Sequence, residues 1–445
     1  MQLRKRLIVF IIGLIILSGT SIWLGLKPQD DEGQTSPAVI DRQSQIQHGE
    51  YLARVGNCGG CHTGRGGAAF AGGKPIQTPF GVVYSSNLTP DPESGLGQWS
   101  ENDFWRAMHH GQSRDGRLLT PAFPFTNMTR VTRQDSDALF AWLQTLPAVT
   151  QAQPPASLRF PFNTQAALVV WRALYFRSGV LAPDPEQSPL WNRGAYLVRG
   201  LGHCEACHAP RNALGALGTN RLWTSLIGRH ETSGAAAEEL TGGWLPMQSW
   251  YAPSLQSNRE AGLADWSTEE VMTLLREGRN DRASAIGPMA QVVLNSTQWL
   301  SEDDLLAMAT FLRALPAAQT AHESMGPLQP LGQAAQSLGQ ALYEKHCAEC
   351  HGANGAGQSG RYPALAGNRA VTLAVPANVI RIVMHGGYAP GTSANPRPYG
   401  MAPYAPFLND AEIAAVVSYI RNAWGNRASG VDSIATGRHR RLDLE

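Results

Sequence analysis

The six cysteines of this chain all fall in three short segments that share one pattern. Each segment has two cysteines separated by two residues, with a histidine directly after the second cysteine. Two thiols and an imidazole this close together can ligate zinc, form a redox-active disulfide or attach a c-type haem. The segments are GNCGGCHTG at 56–64, GHCEACHAP at 202–210 and KHCAECHGA at 345–353.

The spacing of these residues favours covalent haem attachment. Structural zinc takes four ligands, whereas each segment offers three and the first cysteines lie 146 and 143 residues apart. A thioredoxin-like motif needs a βαβ setting, which the sequence lacks. On one helical turn the two cysteines share a face, so they can form thioethers to one porphyrin while the next residue lies under the iron. The sequence predicts three haem c groups, with thioethers from Cys58, Cys61, Cys204, Cys207, Cys347 and Cys350 and axial imidazoles from His62, His208 and His351.

A methionine is the expected second axial ligand, because histidine and methionine together raise the reduction potential of a haem. Met401 lies in RPYGMAPYAPFLND and Met289 in AIGPMAQVV, both in Gly/Pro loops before an amphipathic helix. Met128, in LLTPAFPFTNMTRVT, is the candidate for the first segment, and Met247 is a rival to Met289. Other methionines and a histidine pair lie on or beside helices and are expected to be core or surface residues: Met108, His109, His110, Met272, Met308 and Met384.

The three segments mark a tandem repeat that is mainly α. A helix with a matching glycine precedes each segment, and an amphipathic helix with a matching aromatic residue ends each repeat. We expect the glycine to let the last helix approach closely, with the aromatic residue filling the crossing. The matched residues are Gly49 with Trp142, Gly194 with Phe311, and Gly339 with Tyr419. The Pro-rich stretches 145–162 and 315–332 are typical of linkers.

The N-terminal residues predict export and a membrane anchor. Arg4, Lys5 and Arg6 precede an uncharged run at 7–26, which is long enough to cross the roughly 30 Å hydrocarbon core of a bilayer. Basic residues before a span keep the N terminus inside and send the rest outward. A cleaved signal peptide is the alternative, but its usual A-x-A-like site is missing. Lys and Arg number 36 against 35 Asp and Glu, so no basic excess points to nucleic acid.

With these features in view, the chain resembles the triple-haem cytochrome c subunits of membrane-bound periplasmic dehydrogenases. The resemblance covers residues 44–426 and is most specific in NLTPDPESGLGQWS (87–100), WNRGAYLVRGLGHCEACHAPRNALG (191–215), GPMAQVVLNSTQWLS (287–301) and YPALAGN (362–368). It implies three tandem class I-like cytochrome c domains after an N-terminal transmembrane helix, at 44–150, 187–318 and 334–426.

The resemblance also implies a function and a location. Electrons would pass from a quinoprotein, flavin or molybdopterin dehydrogenase subunit, with a possible small third subunit, through the haems to ubiquinone or a terminal oxidase. The chain would be an electron carrier rather than an enzyme, in the bacterial inner membrane with its haem domains facing the periplasm. Many relatives carry Pro-Ala-Met-Pro where this chain has Pro121-Ala122-Phe123-Pro124, which leaves Met128 as the nearest substitute ligand.

Two other functions stay open at this point. One alternative is a cytochrome c subunit of a terminal oxidase. A multihaem peroxidase with an open haem in the first domain is the other alternative, with His109 or His110 as acid/base.

Overall fold

The computed structural model describes residues 41–217, 239–280, 282–317 and 332–440. The predicted membrane anchor at 7–26 lies outside these residues. Inside the described ranges, none of the helices is both long and apolar enough to cross a bilayer. Contacts divide the described chain into two compact units: unit 1 is 41–53, 61–182 and 212–217, and unit 2 is 54–60, 183–211 and the described residues from 239 onward.

Between residues 41 and 182 the chain is mainly helical, with one small antiparallel sheet in the order β1-β2-β3. Ile76 pairs with Val83, and Gly81 pairs with Leu158. The Pro-rich linker therefore supplies a strand to this sheet. The elements are α1 (Arg42–Val55), α2 (Cys58–His62), β1 (Pro75–Thr78), β2 (Gly81–Tyr84), α3 (Glu101–His110), α4 (Phe125–Met128), α5 (Arg133–Leu143), β3 (Ser157–Leu158) and α6 (Gln165–Tyr175).

Residues 183–317 repeat this helical order around a two-stranded antiparallel hairpin. The elements are α7 (Pro189–Arg199), α8 (Glu205–His208), β4 (Gly243–Leu245), β5 (Trp250–Ala252), α9 (Thr268–Glu277), α10 (Pro288–Asn295) and α11 (Glu302–Arg313), with a 3₁₀ turn at Thr297–Trp299 between the last two.

Residues 332–440 contain the third C-x-x-C-H segment and a C-terminal helix beyond the predicted boundary at 426. That helix packs on the preceding one, since the Thr436 hydroxyl donates to the Asp410 carbonyl and Arg440 pairs with the Asp410 carboxylate. The elements are α12 (Gln333–His346), α13 (Ala348–His351), α14 (Arg369–Thr372), α15 (Ala377–His385), β6 (Gly387–Tyr388), β7 (Gly400–Met401), α16 (Asp410–Ile420) and α17 (Ser433–Arg440).

The predicted close approach of the first and last helices is confirmed at all three glycines. A Cβ on the glycine would lie 1.9 to 2.3 Å from a backbone carbonyl oxygen of the opposing helix, and under 3.0 Å from the Cβ of the aromatic residue. Backbones this close leave no room for a side chain. The contacts are Gly49 with Ala138 and Trp142, Gly194 with Ala307 and Phe311, and Gly339 with Ala415 and Tyr419.

Capping residues define where the helices of the repeat begin. Ser100 and Ser267 form capping boxes at the starts of α3 and α9, and Asn409 forms one at the start of α16. Ser301 caps α11 by accepting from the amide of Asp304. Such caps satisfy amides that have no partner inside the helix.

Within unit 2, the second and third C-x-x-C-H regions are joined by a buried polar contact. The side-chain amide of Asn378 on α15 accepts from the amide of Tyr251 (2.9 Å) and donates to its carbonyl (2.7 Å). Next to it, the Arg381 guanidinium lies 5.2 Å from the centre of the Trp250 ring. The carboxylate of Asp265 binds both Arg282 and Arg369, so one anion bridges the two regions.

The close crossing of α12 and α16 predicts that a single added methyl group at the crossing destabilises the protein. We expect Gly339→Ala to lower the free energy of unfolding by about 1–3 kcal/mol, because the new methyl group must displace the backbone of α16. Gly332→Ala is the matched control at the start of the same helix, since no described atom beyond its chain neighbours lies within 4 Å of a Cβ there. Urea denaturation of both variants checks this, and equal midpoints would contradict it.

Candidate haem-binding sites

Each C-x-x-C-H segment forms one helical turn, as the sequence predicts. In the second segment, the amides of Cys207 and His208 both donate to the carbonyl of Cys204 (3.2 and 2.9 Å). The third segment repeats these bonds from Cys350 and His351 to Cys347 (3.2 and 2.9 Å). The first segment is the five-residue helix α2. One turn brings the residues at i, i+3 and i+4 to one face.

Each of the three histidines makes the same kind of hydrogen bond, and this bond fixes its tautomer. In each, Nδ1 donates to a backbone carbonyl oxygen, and Nε2 is thereby left with its lone pair. That nitrogen is the one that can bind a metal. The bonds are His62 to Ser86 (2.7 Å), His208 to Pro253 (2.8 Å) and His351 to Pro363 (3.0 Å).

The protonation state agrees with this role. Burial lowers the pKa of His62, His208 and His351 below the ordinary value, and the carbonyl hydrogen bond offsets only part of that change. A lowered pKa keeps the imidazole neutral at neutral pH. A neutral imidazole is the form that ligates a metal.

The cysteines have the opposite chemistry from a redox dithiol. Burial raises the pKa of Cys204 to about 12 and that of Cys347 to about 11. Burial also raises the pKa of Cys61. Redox-active C-x-x-C motifs lower the pKa of the reactive thiol instead. All six cysteines lie in the described ranges, and no two of them form a disulfide.

The described residues do not offer a set of ligands for zinc. Among the described residues, no three or more His, Cys, Asp and Glu side chains are grouped so that they could hold a metal ion. Two thiols on one helical turn and one oriented imidazole are the donors that a covalently attached haem uses. The residues present therefore fit that cofactor.

Buried polar side chains that sequence reasoning missed hold the loops that carry the accepting carbonyls. Glu260, which is 2% exposed, accepts from the Tyr251 hydroxyl (2.9 Å) and from the Ser254 amide (2.7 Å). These bonds flank Pro253, the partner of His208. No motif marks Glu260 in the sequence, because its partners lie in a loop that only the fold defines.

The first and third loops are also held by buried asparagines, and a recognisable stretch of sequence lies at each loop. The Asn87 amide, next to Ser86, donates to the Val149 carbonyl (2.7 Å). Asn426 accepts from the Gly367 amide (2.9 Å) and donates to the Leu365 carbonyl (3.0 Å). These bonds fix the YPALAGN loop that includes Pro363. The conspicuous stretches NLTPDPESGLGQWS and YPALAGN were thus the available signal.

The three predicted methionine ligands are not placed alike. Met289 lies in the first turn of α10 and Met401 in β7, and both are half-buried. Met128 ends the short helix α4 and is 5% exposed. The rival Met247 is 44% exposed in the turn after β4. The residues expected to be in the core or on the surface are all buried: Met108, His109, His110, Met272, Met308 and Met384.

Comparison with known proteins agrees with this chemistry. The sequence model of the cytochrome c family matches residues 46–147 and 336–424. The chain is 35% identical over 398 residues to the alcohol dehydrogenase (quinone), cytochrome c subunit, of Gluconacetobacter polyoxogenes, covering 88% of this chain and 82% of that protein. It is 35% identical over 408 residues to the gluconate 2-dehydrogenase cytochrome c subunit of Pantoea cypripedii (88% and 89% covered). The fructose dehydrogenase cytochrome subunit of Gluconobacter japonicus is 30% identical over 448 residues (95% and 86% covered).

The hydrogen bonds of Glu260, which hold the loop that orients His208, predict a specific effect of mutation. We expect Glu260→Ala to lower the free energy of unfolding by about 1–3 kcal/mol, because a buried amide and hydroxyl lose their acceptor. It should also shift the potential of a single haem, since the Pro253 carbonyl orients the ligand. Glu260→Gln, which keeps an acceptor, should retain most of both properties.

Potentiometric titration and urea denaturation measure these effects. Glu269→Ala is the matched control, because that side chain is 70% exposed. If Glu260→Ala and Glu269→Ala behave alike, the buried carboxylate does not support the site.

Proposed function

Since this chain belongs to the family of dehydrogenase cytochrome c subunits, we propose that it accepts electrons from a catalytic dehydrogenase subunit and relays them through three covalent haems. It is the electron-carrying subunit, and the relatives to which it is similar are named as cytochrome subunits of dehydrogenases. The observation that carries the proposal is the threefold C-x-x-C-H turn whose histidine is fixed through Nδ1.

The protein's own residues hold and tune the cofactor. Cys58 and Cys61, Cys204 and Cys207, and Cys347 and Cys350 would form the thioethers in three class I-like cytochrome c domains (44–150, 187–318 and 334–426). His62, His208 and His351 would bind iron through Nε2. When bound, haem supplies one-electron transfer by cycling between ferric and ferrous iron.

Met289 and Met401 are the second axial ligands in this proposal. Both are half-buried, so each offers surface that protein atoms do not cover. A methionine sulfur opposite histidine raises the reduction potential. A higher potential suits a carrier that takes electrons from a dehydrogenase and has no substrate chemistry of its own.

The partner, acceptor and location are part of the same proposal. The dehydrogenase subunit is of the quinoprotein, flavin or molybdopterin type, with a small third subunit in some complexes, and ubiquinone or a terminal oxidase takes the electrons. Residues 7–26 anchor the chain in the bacterial inner membrane, with the haem domains in the periplasm. The basic residues at 4–6 support this orientation.

Methionine replacement tests the two ligands. We expect Met289→Ala and Met401→Ala each to lower the potential of one haem by on the order of 0.1 V, a fraction of the roughly 0.8 V that axial ligands span. Each should also convert one haem toward high spin. Met272→Leu, at a buried methionine on α9, is the control and should leave spectra and potentials unchanged. Unchanged spectra in Met289→Ala or Met401→Ala would refute that ligand.

The partner is tested on the whole chain. We expect a tagged full-length chain, purified from detergent-solubilised membranes, to carry three haems by alkaline pyridine assay and to bring a dehydrogenase subunit with it. Primary alcohols, gluconate and fructose, added in turn to those membranes, should include one that reduces the haems. Recovery of a copper/haem oxidase in place of a dehydrogenase would overturn the proposed partner, while fewer than three haems would overturn the cofactor count.

A further inference from the structure

Two loops of the chain begin and end with the same backbone contacts, and the contact at the end of each loop aligns the residues that follow it. The first loop is one residue longer than the second. A left-handed glycine ends each preceding helix: Gly111 (φ 58°) after α3 and Gly278 (φ 71°) after α9. The amide of Leu119 donates to the Gly111 carbonyl (2.8 Å), and the amide of Ala285 donates to the Gly278 carbonyl (2.6 Å). An antiparallel bridge adjoins each bond, Gln112 with Leu118 and Arg279 with Ser284.

This alignment places a phenylalanine where the second repeat has its methionine. Met289 is the fourth residue after Ala285, and Phe123 is the fourth residue after Leu119. Met128 corresponds instead to Leu294 inside α10. The aligned position in the first repeat therefore has no sulfur.

Phe123 and Met128 also differ in how far their side chains are buried. Phe123 is half-buried, as Met289 is. Met128 is 5% exposed and lies between Asn127, also buried, and Thr129, also buried. A side chain that contacts a cofactor must have surface that protein atoms leave uncovered. Phe123 has such surface and the side chain of Met128 has almost none, which argues against Met128 as the second ligand.

The remaining donors described in unit 1 do not substitute for it. Met108, His109 and His110 are buried on α3, where His109 stacks on Trp105 at 4.2 Å between ring centres. His48 on α1 binds the Asp135 carboxylate at 2.7 Å. Among the described methionines and histidines of unit 1, only His62 is both oriented by a carbonyl and part of a C-x-x-C-H turn.

We propose, resting on the haem attachment proposed above, that the first haem is bound by the protein through His62 alone and that Phe123 makes it a binding site for small neutral diatomic molecules such as CO. The phenyl ring of Phe123 has no lone pair that could bind iron and no hydrogen-bond donor for an anion. The polarity and donors of the distal pocket decide what haem iron binds. An apolar residue favours neutral diatomics over peroxide, whose cleavage needs a nearby acid/base.

The test uses the purified full-length chain with its haems attached. The alkaline pyridine assay first counts the haems, so loss of a haem and loss of ligand binding are told apart. We expect the dithionite-reduced chain to bind one CO per chain, and the oxidised chain to show one high-spin haem by electron paramagnetic resonance. Phe123→Met should remove both signals, because it restores a sulfur at the aligned position. Met128→Leu should leave both unchanged.

Three results would overturn the proposal. The first is a fully haem-loaded chain that binds no CO. The second is Met128→Leu gaining CO binding or a new high-spin signal, which would make Met128 a ligand. The third is Phe123→Met binding as much CO as the unmodified chain. If Phe123→Met does not fold, the first two measurements still decide.

Discussion

The hydrogen bond from a histidine Nδ1 to a backbone carbonyl is the interaction on which each site depends. It occurs three times, at 2.7 to 3.0 Å, and it determines which nitrogen is available to a metal. The carbonyls come from loops rather than helices, so each loop needs its own support. Glu260, Asn87 and Asn426 give that support from buried positions. A ligand supplied by the helical turn is thus oriented by residues far away in sequence.

The local and periodic features were predictable from sequence. The C-x-x-C-H turns and the glycine crossings depend on spacings of three and four residues, which a sequence displays directly. The hydrogen bonds by which Glu260 holds its loop could not be predicted from the sequence, because the tertiary fold determines which groups it contacts. Helix α17 was also missed, since its contacts to Asp410 depend on α16 being in place.

The methionines mark the limit of this reasoning. Their positions in Gly/Pro loops predict Met289 and Met401 as ligands, and nearness along the chain points to Met128 in the first repeat. The proposal for that repeat rests instead on the exposed fraction of the side chain and on the backbone contacts of two loops. Both require coordinates. A repeat protein offers this internal comparison, since one repeat serves as the reference for another.

The contact between Asn378 and Tyr251 also bears on the rate of electron transfer between the second and third repeats. Its amide binds the outer edge of β5 much as a further strand would. It is accompanied by the Asp265 bridge and by Arg381 over Trp250. Segments joined by buried polar contacts open as one cooperative element. For haems held in the second and third repeats, the tunnelling distance would then be a constant of the fold, and the hop between them would need no conformational gating.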